Sequence, residues 1–402
     1  MTASPAAQRR LPLPEFIALL AFLSASVAFS IDAMLPALPD IAAQLSPDNI
    51  NRAQLVLTAF VAGLGVGTLF AGPISDAIGR KPTITIGFAI YGMAALSTYF
   101  AESLEFLLVA RFVQGLGAAA PRIVSLALVR DLYAGREMAR ITSFVMMVFI
   151  IVPALAPLIG SGLIALAGWH GVFLAFVLFA IIGTTWLNLR QGETLLPDRR
   201  TPLRLRPLLS AARVVISDRQ LVLCTLILTL GYGQMFALLS SAQQLFGEAY
   251  GKGDQFPLWF ALMAILSGTG TLLNAKFVMR FGMRRIAKWA YIMQTCVSAA
   301  LLIAMLGGLM PEALKFPSFF LWAVSVFFMA GVTFGNLNAL ALQNMGRNAG
   351  MAASIVSATS TVLAMLIAVP TGLLYDGTAY PVIAATLICS GLAWFLMRYL
   401  RD

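Results

Sequence analysis

Charge is what this sequence has least of: only 11% of its 402 residues are Asp, Glu, Lys or Arg, against about a quarter in a soluble domain. Histidine occurs once, at His170, and cysteine three times. Cys224, Cys296 and Cys389 all lie inside apolar runs, so no spaced pair is available for a disulfide framework or a metal site. They read as small packing residues. No nucleophile, metal or phosphate-binding cluster stands at a catalytic spacing, which argues against an enzyme and leaves no cofactor to expect. Neither rings of like charge nor repeated filter segments occur, which argues against a channel.

What is present is apolar length. The chain is 60% hydrophobic with a mean hydropathy of +0.87. At about twenty residues per crossing, spans are expected near 15–37, 53–76, 83–101, 106–130, 141–165 and 171–189, and again near 220–245, 256–279, 286–308, 317–345, 350–374 and 379–398. This predicts an all-α membrane protein of twelve transmembrane helices. Arg9 and Arg10 before an apolar stretch mimic a secretory signal, but that stretch runs on into Asp32 and Pro36 without a small-residue cleavage site, so a retained first helix is expected.

The net charge of +10 follows from where the cations sit. Counted from an inside N-terminus, the inner segments collect Arg9, Arg10, Arg80, Lys81, Arg130, Arg136, Arg140, seven arginines from Arg190 to Arg219, Lys276, Arg280, Arg284, Arg285, Lys288, Arg347, Arg398 and Arg401. Only Arg52, Lys252 and Lys315 fall in outer loops. The positive-inside rule then puts both termini in the cytoplasm and accounts for the basic balance without nucleic acid.

The two sets of six spans resemble each other, as in transporters built from repeats. Gly72-Pro-Ile-Ser-Asp76-Ala-Ile-Gly79-Arg80-Lys81 follows the second span, and Ala275 to Arg285 follows the eighth, with Gly79 and Gly282 in register. The expected organisation is a bundle over 1–190, a cytoplasmic linker over 191–219 and a second bundle over 220–402. Pro197, Pro202 and Pro207 argue against a long helix in the first part of the linker.

The segment from Gly72 to Lys81 resembles the loop signature of the major facilitator superfamily, departing from it at Ala77, where a basic residue is usual. Ile31 to Pro39 and Arg111 to Ala119 look like the Bcr/CflA branch of drug:proton antiporters. Pro153-Ala-Leu-Ala156-Pro157-Leu-Ile-Gly160-Ser161-Gly162 is similar to that branch's antiporter signature, with Ala156 and Ser161 where glycines are usual. The resemblance implies two six-helix bundles around a central cavity lined by helices one, four, seven and ten. It implies a monomer in a bacterial inner membrane, moving small drug-like, amphipathic or anionic molecules out by alternating access, with the proton gradient as energy source. By the same resemblance Gly72, Asp76, Gly79, Arg80 and Lys81 latch the halves in the outward-facing state; the alternative is that the two cations only fix topology. An exporter of one metabolite or siderophore and a passive facilitator use the same fold.

Charged residues inside spans cost roughly 2.5–3.5 kcal/mol each on insertion scales and need a reason. Asp32, Arg111 and Arg122 stand out. Arg111 and Arg122 are eleven residues apart, about 16 Å along the helix and within about 20° of one face. Gln114, Gly115, Ala118 and Ser125 share that stripe, which is expected to face the cavity. Asp32 and Arg111 lie at similar depth and can pair, either as a proton-coupling device or as a static ion pair. Arg122 then engages an anionic or zwitterionic substrate or a backbone carbonyl, or snorkels to the inner surface. In the second half Tyr232, Gln234, Asn336, Asn338 and Gln343 are candidate substrate contacts, or polar groups bonding between helices. Gly63, Gly65 and Gly67 suggest close helix packing, and His170 a structural place in an outer loop.

Overall fold

The structure is a computed structural model; it describes residues 11–202, 213, 217–343, 345 and 349–400. Arg9, Arg10, Pro207, Arg347 and Arg401, to which the sequence reading gave roles, lie outside the described residues.

The described chain is helical throughout. The helices are α1 (Leu13–Asp32), α2 (Leu38–Leu45), α3 (Leu55–Ile78), α4 (Arg80–Ser97), α5 (Leu104–Leu132), α6 (Gly135–Arg190), α7 (Arg219–Gln244), α8 (Phe256–Phe281), α9 (Met283–Leu306), α10 (Glu312–Leu342), α11 (Ala349–Leu373) and α12 (Tyr380–Leu396). Among the described residues, eleven helices are long and apolar enough to cross a membrane. The twelfth crossing is inside α6. Its 56 residues would run about 84 Å if straight, more than twice the bilayer's hydrocarbon thickness of about 30 Å. Non-helical backbone at Ala167 and Gly168, the latter at φ 65°, bends it into two crossings.

The expected first span to residue 37 breaks early. The α-helix stops at Asp32, and the chain passes through a 3-10 turn at Leu35–Ala37 into α2. Pro36 removes a backbone donor there, so the regular ladder cannot continue through it. Other boundaries carry recognisable caps. Asp218 accepts hydrogen bonds from the Gln220 and Leu221 amides at 2.8 and 3.0 Å to open α7, and Ser103 accepts from Phe106 N–H to open α5.

Gly79 between α3 and α4, and Gly282 between α8 and α9, hold φ 111° and 80°. Only glycine enters that region without strain. The repeated register seen in the sequence is thus a repeated turn.

Helices α1 and α3 to α6 pack chiefly on one another, with α5 against α1, α3 and α4. Likewise α7 packs on α10, α11 and α12, and α9 on α10 and α12. The two groups meet where α3 touches α11 and α6 touches α8. At Gly63 an added Cβ would lie 1.9 Å from the Phe112 carbonyl oxygen, so α3 and α5 approach backbone to backbone, as small residues permit in membranes. His170 stacks on Trp169 with ring centroids 3.6 Å apart.

Candidate functional site

Arg111 is completely buried in α5. Its Nη2 donates to the Ser30 carbonyl at 3.0 Å, its Nε to the Val56 carbonyl at 3.3 Å and its Nη1 to Gln114 Oε1 at 2.8 Å. The guanidinium carbon lies 4.5 Å from the centroid of the Phe60 ring. The Ser30 hydroxyl bonds to Tyr91 Oη at 2.6 Å, which brings α4 into the same cluster. One cation therefore ties α1 and α3 to α5 through backbone carbonyls, and α4 joins the cluster through Ser30.

The expected Asp32–Arg111 pair is not formed. Asp32 is two residues beyond Ser30, about 200° further round the helix, so a guanidinium seated on the Ser30 side has the Asp32 side chain turned away. Asp32 is only 5% exposed, and it makes no ion pair with a described residue. It is the only acidic side chain in the buried set among the described residues.

The expectation that the α5 stripe faces a cavity is corrected as well. Gln114 and Ala118 are 0% exposed and Ser125 is 1% exposed. Ser125 Oγ is 3.2 Å from Ser24 Oγ of α1, and an added Cβ on Gly115 would meet the Phe60 carbonyl oxygen at 2.0 Å. This face is packed against neighbouring helices, with the Gln114 amide oxygen held by Arg111 and its amide nitrogen buried without a described partner.

Arg122 departs from that pattern. It is partly buried and close enough to Tyr232 of α7 for mutual electrostatic interaction. Asn338 of α10 donates its side-chain amide to the Phe334 carbonyl of its own helix at 2.9 Å. Of the candidate substrate contacts, Arg122 of the first group of helices thus lies within electrostatic range of Tyr232 of the second, while Asn338 bonds within its own helix. Tyr232 packs at a tilt on Phe334 with centroids 4.3 Å apart, which sets an aromatic wall beside the phenol.

The other candidates lie elsewhere. Gln234 is fully buried, accepts from the Ser390 hydroxyl of α12 at 2.7 Å, and has no described partner for its amide nitrogen. Asn336 is 4% exposed and donates to Asn274 of α8 at 2.7 Å. Gln343 lies just past the end of α10, exposed.

The loop signature forms a charge cluster within the first group. Arg80 donates to Asp76 at 2.5 Å, to Ser75 Oγ at 2.8 Å and to Asp131 of α5 at 3.0 Å. The Glu193 carboxylate accepts the backbone N–H groups of Arg80 and Lys81, each at 3.0 Å, and so caps α4. Lys81 Nζ donates to the Asn188 carbonyl. The expected latch across the halves is not engaged through these charges, because Arg80 already holds Asp76 and Asp131. A cavity of about 420 Å³ separates Asp76, Arg80 and Asp131 from Gly350 and Ser354 of α11.

At the opposite ends of the helices the halves are joined by amides. Gln54 Nε2 donates to Gln244 Oε1, Gln244 Nε2 to Asn51 Oδ1 at 3.1 Å, Ser241 Oγ to Gln54 Oε1 at 3.0 Å, and Asn51 Nδ2 to the Tyr375 carbonyl at 2.8 Å. Sequence reasoning missed this seal, since scattered Asn and Gln near loops carry no periodic signal. It missed Asp131 and Glu193 too, although Asp131 stands beside Arg130 at a helix end.

In the antiporter-like segment Gly160 fixes α6 against α1. An added Cβ there would lie 2.2 Å from the Ala33 carbonyl oxygen, one residue from Asp32. Pro153 and Pro157 are both inside α6.

The comparisons agree with this geometry. A family model described as Major Facilitator Superfamily matches residues 20–369. The chain is 28% identical over 393 residues to a bicyclomycin resistance protein homolog of Haemophilus influenzae, covering 95% of this chain and 96% of that one. It is 28% identical over 402 residues to an uncharacterized MFS-type transporter, YdgK, of Bacillus subtilis, covering 98% and 97%. Among solved structures, a D-xylose–proton symporter superposes with a TM-score of 0.75 at 14% identity, covering 96% of this chain and 98% of that one, which speaks for the fold alone. This multi-pass membrane protein belongs to the major facilitator superfamily of transporters.

Proposed function

We propose that this protein is a proton-coupled antiporter that exports small amphipathic, anionic drug-like molecules across a bacterial inner membrane by alternating access, with both termini cytoplasmic. The observation that carries the reading is Arg122 of the first half within electrostatic range of the Tyr232 phenol of the second. A cation without a described carboxylate partner, within range of a phenol, supplies charge and hydrogen bonds for an anion, while Phe334 offers apolar surface. Relatives named for bicyclomycin and chloramphenicol resistance support a drug-like substrate class.

Asp32 is the group assigned to the proton. It is a buried carboxylate beside the backbone contact between α1 and Gly160 of α6, so a change in its protonation is felt where two helices of the first half meet. The amide seal at one end and the cavity beside Asp76 at the other fit a state closed on the outer side.

Transport in proteoliposomes under an imposed pH gradient tests the reading. Asp32→Asn is expected to abolish uphill transport and leave downhill exchange, while Arg122→Gln weakens transport of anionic substrates and spares neutral ones. Gradient-independent transport by the unaltered protein would reduce it to a passive facilitator, and equal loss of neutral and anionic transport in Arg122→Gln would remove the anion assignment.

A further inference from the structure

Between Asp254 and Glu312 the sequence contains no acid, yet it carries Lys276, Arg280, Arg284, Arg285 and Lys288 around the turn between α8 and α9. A charge rule explains why such a turn is basic. It does not explain what lies under the cations. Phe277, Phe281, Trp289, Met293 and Phe328 line an apolar groove of about 340 Å³ between α8, α9 and α10. Trp289 is 52% exposed, and α8 and α9 are the least buried of the candidate spans, so the groove opens toward lipid.

The cations sit on the groove's rim. The Arg280 guanidinium carbon lies 5.3 Å from the Phe281 ring centroid, and Lys276 Nζ lies 5.6 Å from that of Phe277. Phe281 meets Trp289 edge to face at 5.5 Å. Arg285, Trp289 and Met293 follow at four-residue spacing and share one stripe of α9, running from the charged turn into the groove. Neither Arg280, Arg285 nor Lys288 forms an ion pair with a described residue.

We propose that this groove holds an acyl chain of one anionic phospholipid from the adjoining leaflet, with its phosphate on the basic rim formed by Arg280, Arg285 and Lys288. A neutral apolar occupant would leave the cations without a partner, and a soluble anion would leave the groove without one. A phospholipid of net negative charge satisfies both. The site lies apart from Arg122 and Asp32, so it stands whether or not the chain exports anions.

The test uses the full chain in nanodiscs of phosphatidylcholine containing a minor fraction of lipid with brominated acyl chains, which quench tryptophan on contact. The Trp289 signal is the difference between the unaltered protein and Trp289→Phe. Brominated phosphatidylglycerol is expected to quench it at about a tenfold lower mole fraction than brominated phosphatidylcholine, and removing one cation is expected to bring that difference down to about twofold. The Arg280→Gln, Arg285→Gln, Lys288→Gln variant is expected to lose the preference. Equal quenching by the two headgroups would overturn the proposal and needs no variant that must fold. Full displacement by free inorganic phosphate at constant ionic strength, or stoichiometric displacement by a transported compound, would overturn it as well.

Discussion

Arg111 donates to the backbone carbonyl of Ser30, two residues before Asp32, and not to the Asp32 carboxylate. These two charged groups are therefore separate devices. Arg111 holds α1 and α3 to α5, and Asp32 is left free for the protonation proposed for it. A double-mutant cycle checks this. Arg111→Gln leaves the Ser30 and Val56 carbonyls short of a donor, at about 1–3 kcal/mol for each buried acceptor, so its thermal midpoint in detergent is expected to fall clearly. Asp32→Asn is expected to leave the midpoint nearly unchanged, and the double variant to be additive within about 0.5 kcal/mol. Strong coupling between the two would restore the ion pair.

The amide seal between the halves predicts a second result. Gln54 and Gln244 belong to different halves and touch through their side chains. A Gln54→Cys, Gln244→Cys protein, built on Cys296→Ser because Cys296 is the exposed native thiol, is expected to cross-link through a short, reducible thiol-reactive spacer of about the length of the two lost side chains. Transport should fall to background on cross-linking and return on reduction, since alternating access needs this end to open. Undiminished transport by the fully cross-linked protein would show that these residues do not separate during the cycle.

Much of this was legible in the sequence, and what was not has a common physical cause. Span positions follow from apolar length, and the paired turns at Gly79 and Gly282 from a repeat that shares one backbone need. Pairing inside the bundle was not legible, because a buried arginine can be satisfied by carbonyl oxygens that every residue possesses. Arg111 and Arg122 share a helical face by spacing, yet one is enclosed by α1 and α3 while the other lies within electrostatic range of Tyr232 in the second half. Periodicity gives the direction of a side chain but not which neighbour waits there. Glu193 sits in an irregular segment and Asn51 and Gln54 in a short 3-10 turn, where no period exists to read, and Gln244 is the last residue of its helix.

The antiporter-like segment offers a matched pair of glycines on α6. Gly160→Ala must push its methyl into the Ala33 carbonyl, and overpacking of this kind costs about 1–3 kcal/mol. At Gly162 an added Cβ meets nothing within 4 Å, so Gly162→Ala is expected to be neutral or to gain up to about 1 kcal/mol from better helix propensity. Thermal unfolding of the two variants side by side checks the contrast. Equal midpoints would mean that α6 does not press on α1 in solution.

Glu193 gives the last prediction. Its carboxylate accepts from the Arg80 and Lys81 amides at the start of α4, where a helix leaves donors unsatisfied and its dipole favours negative charge. Removing such a cap costs typically about 1 kcal/mol. Glu193→Ala is therefore expected to speed hydrogen exchange at the Arg80 and Lys81 amides by about fivefold, with the α4 amides after Thr83 unchanged. Arg80 keeps Asp76 and Asp131 in the variant, so the charge cluster itself should survive. If protection is lost along all of α4, Glu193 supports the whole third crossing; if none is lost, the linker only rests on the helix end and does not hold it.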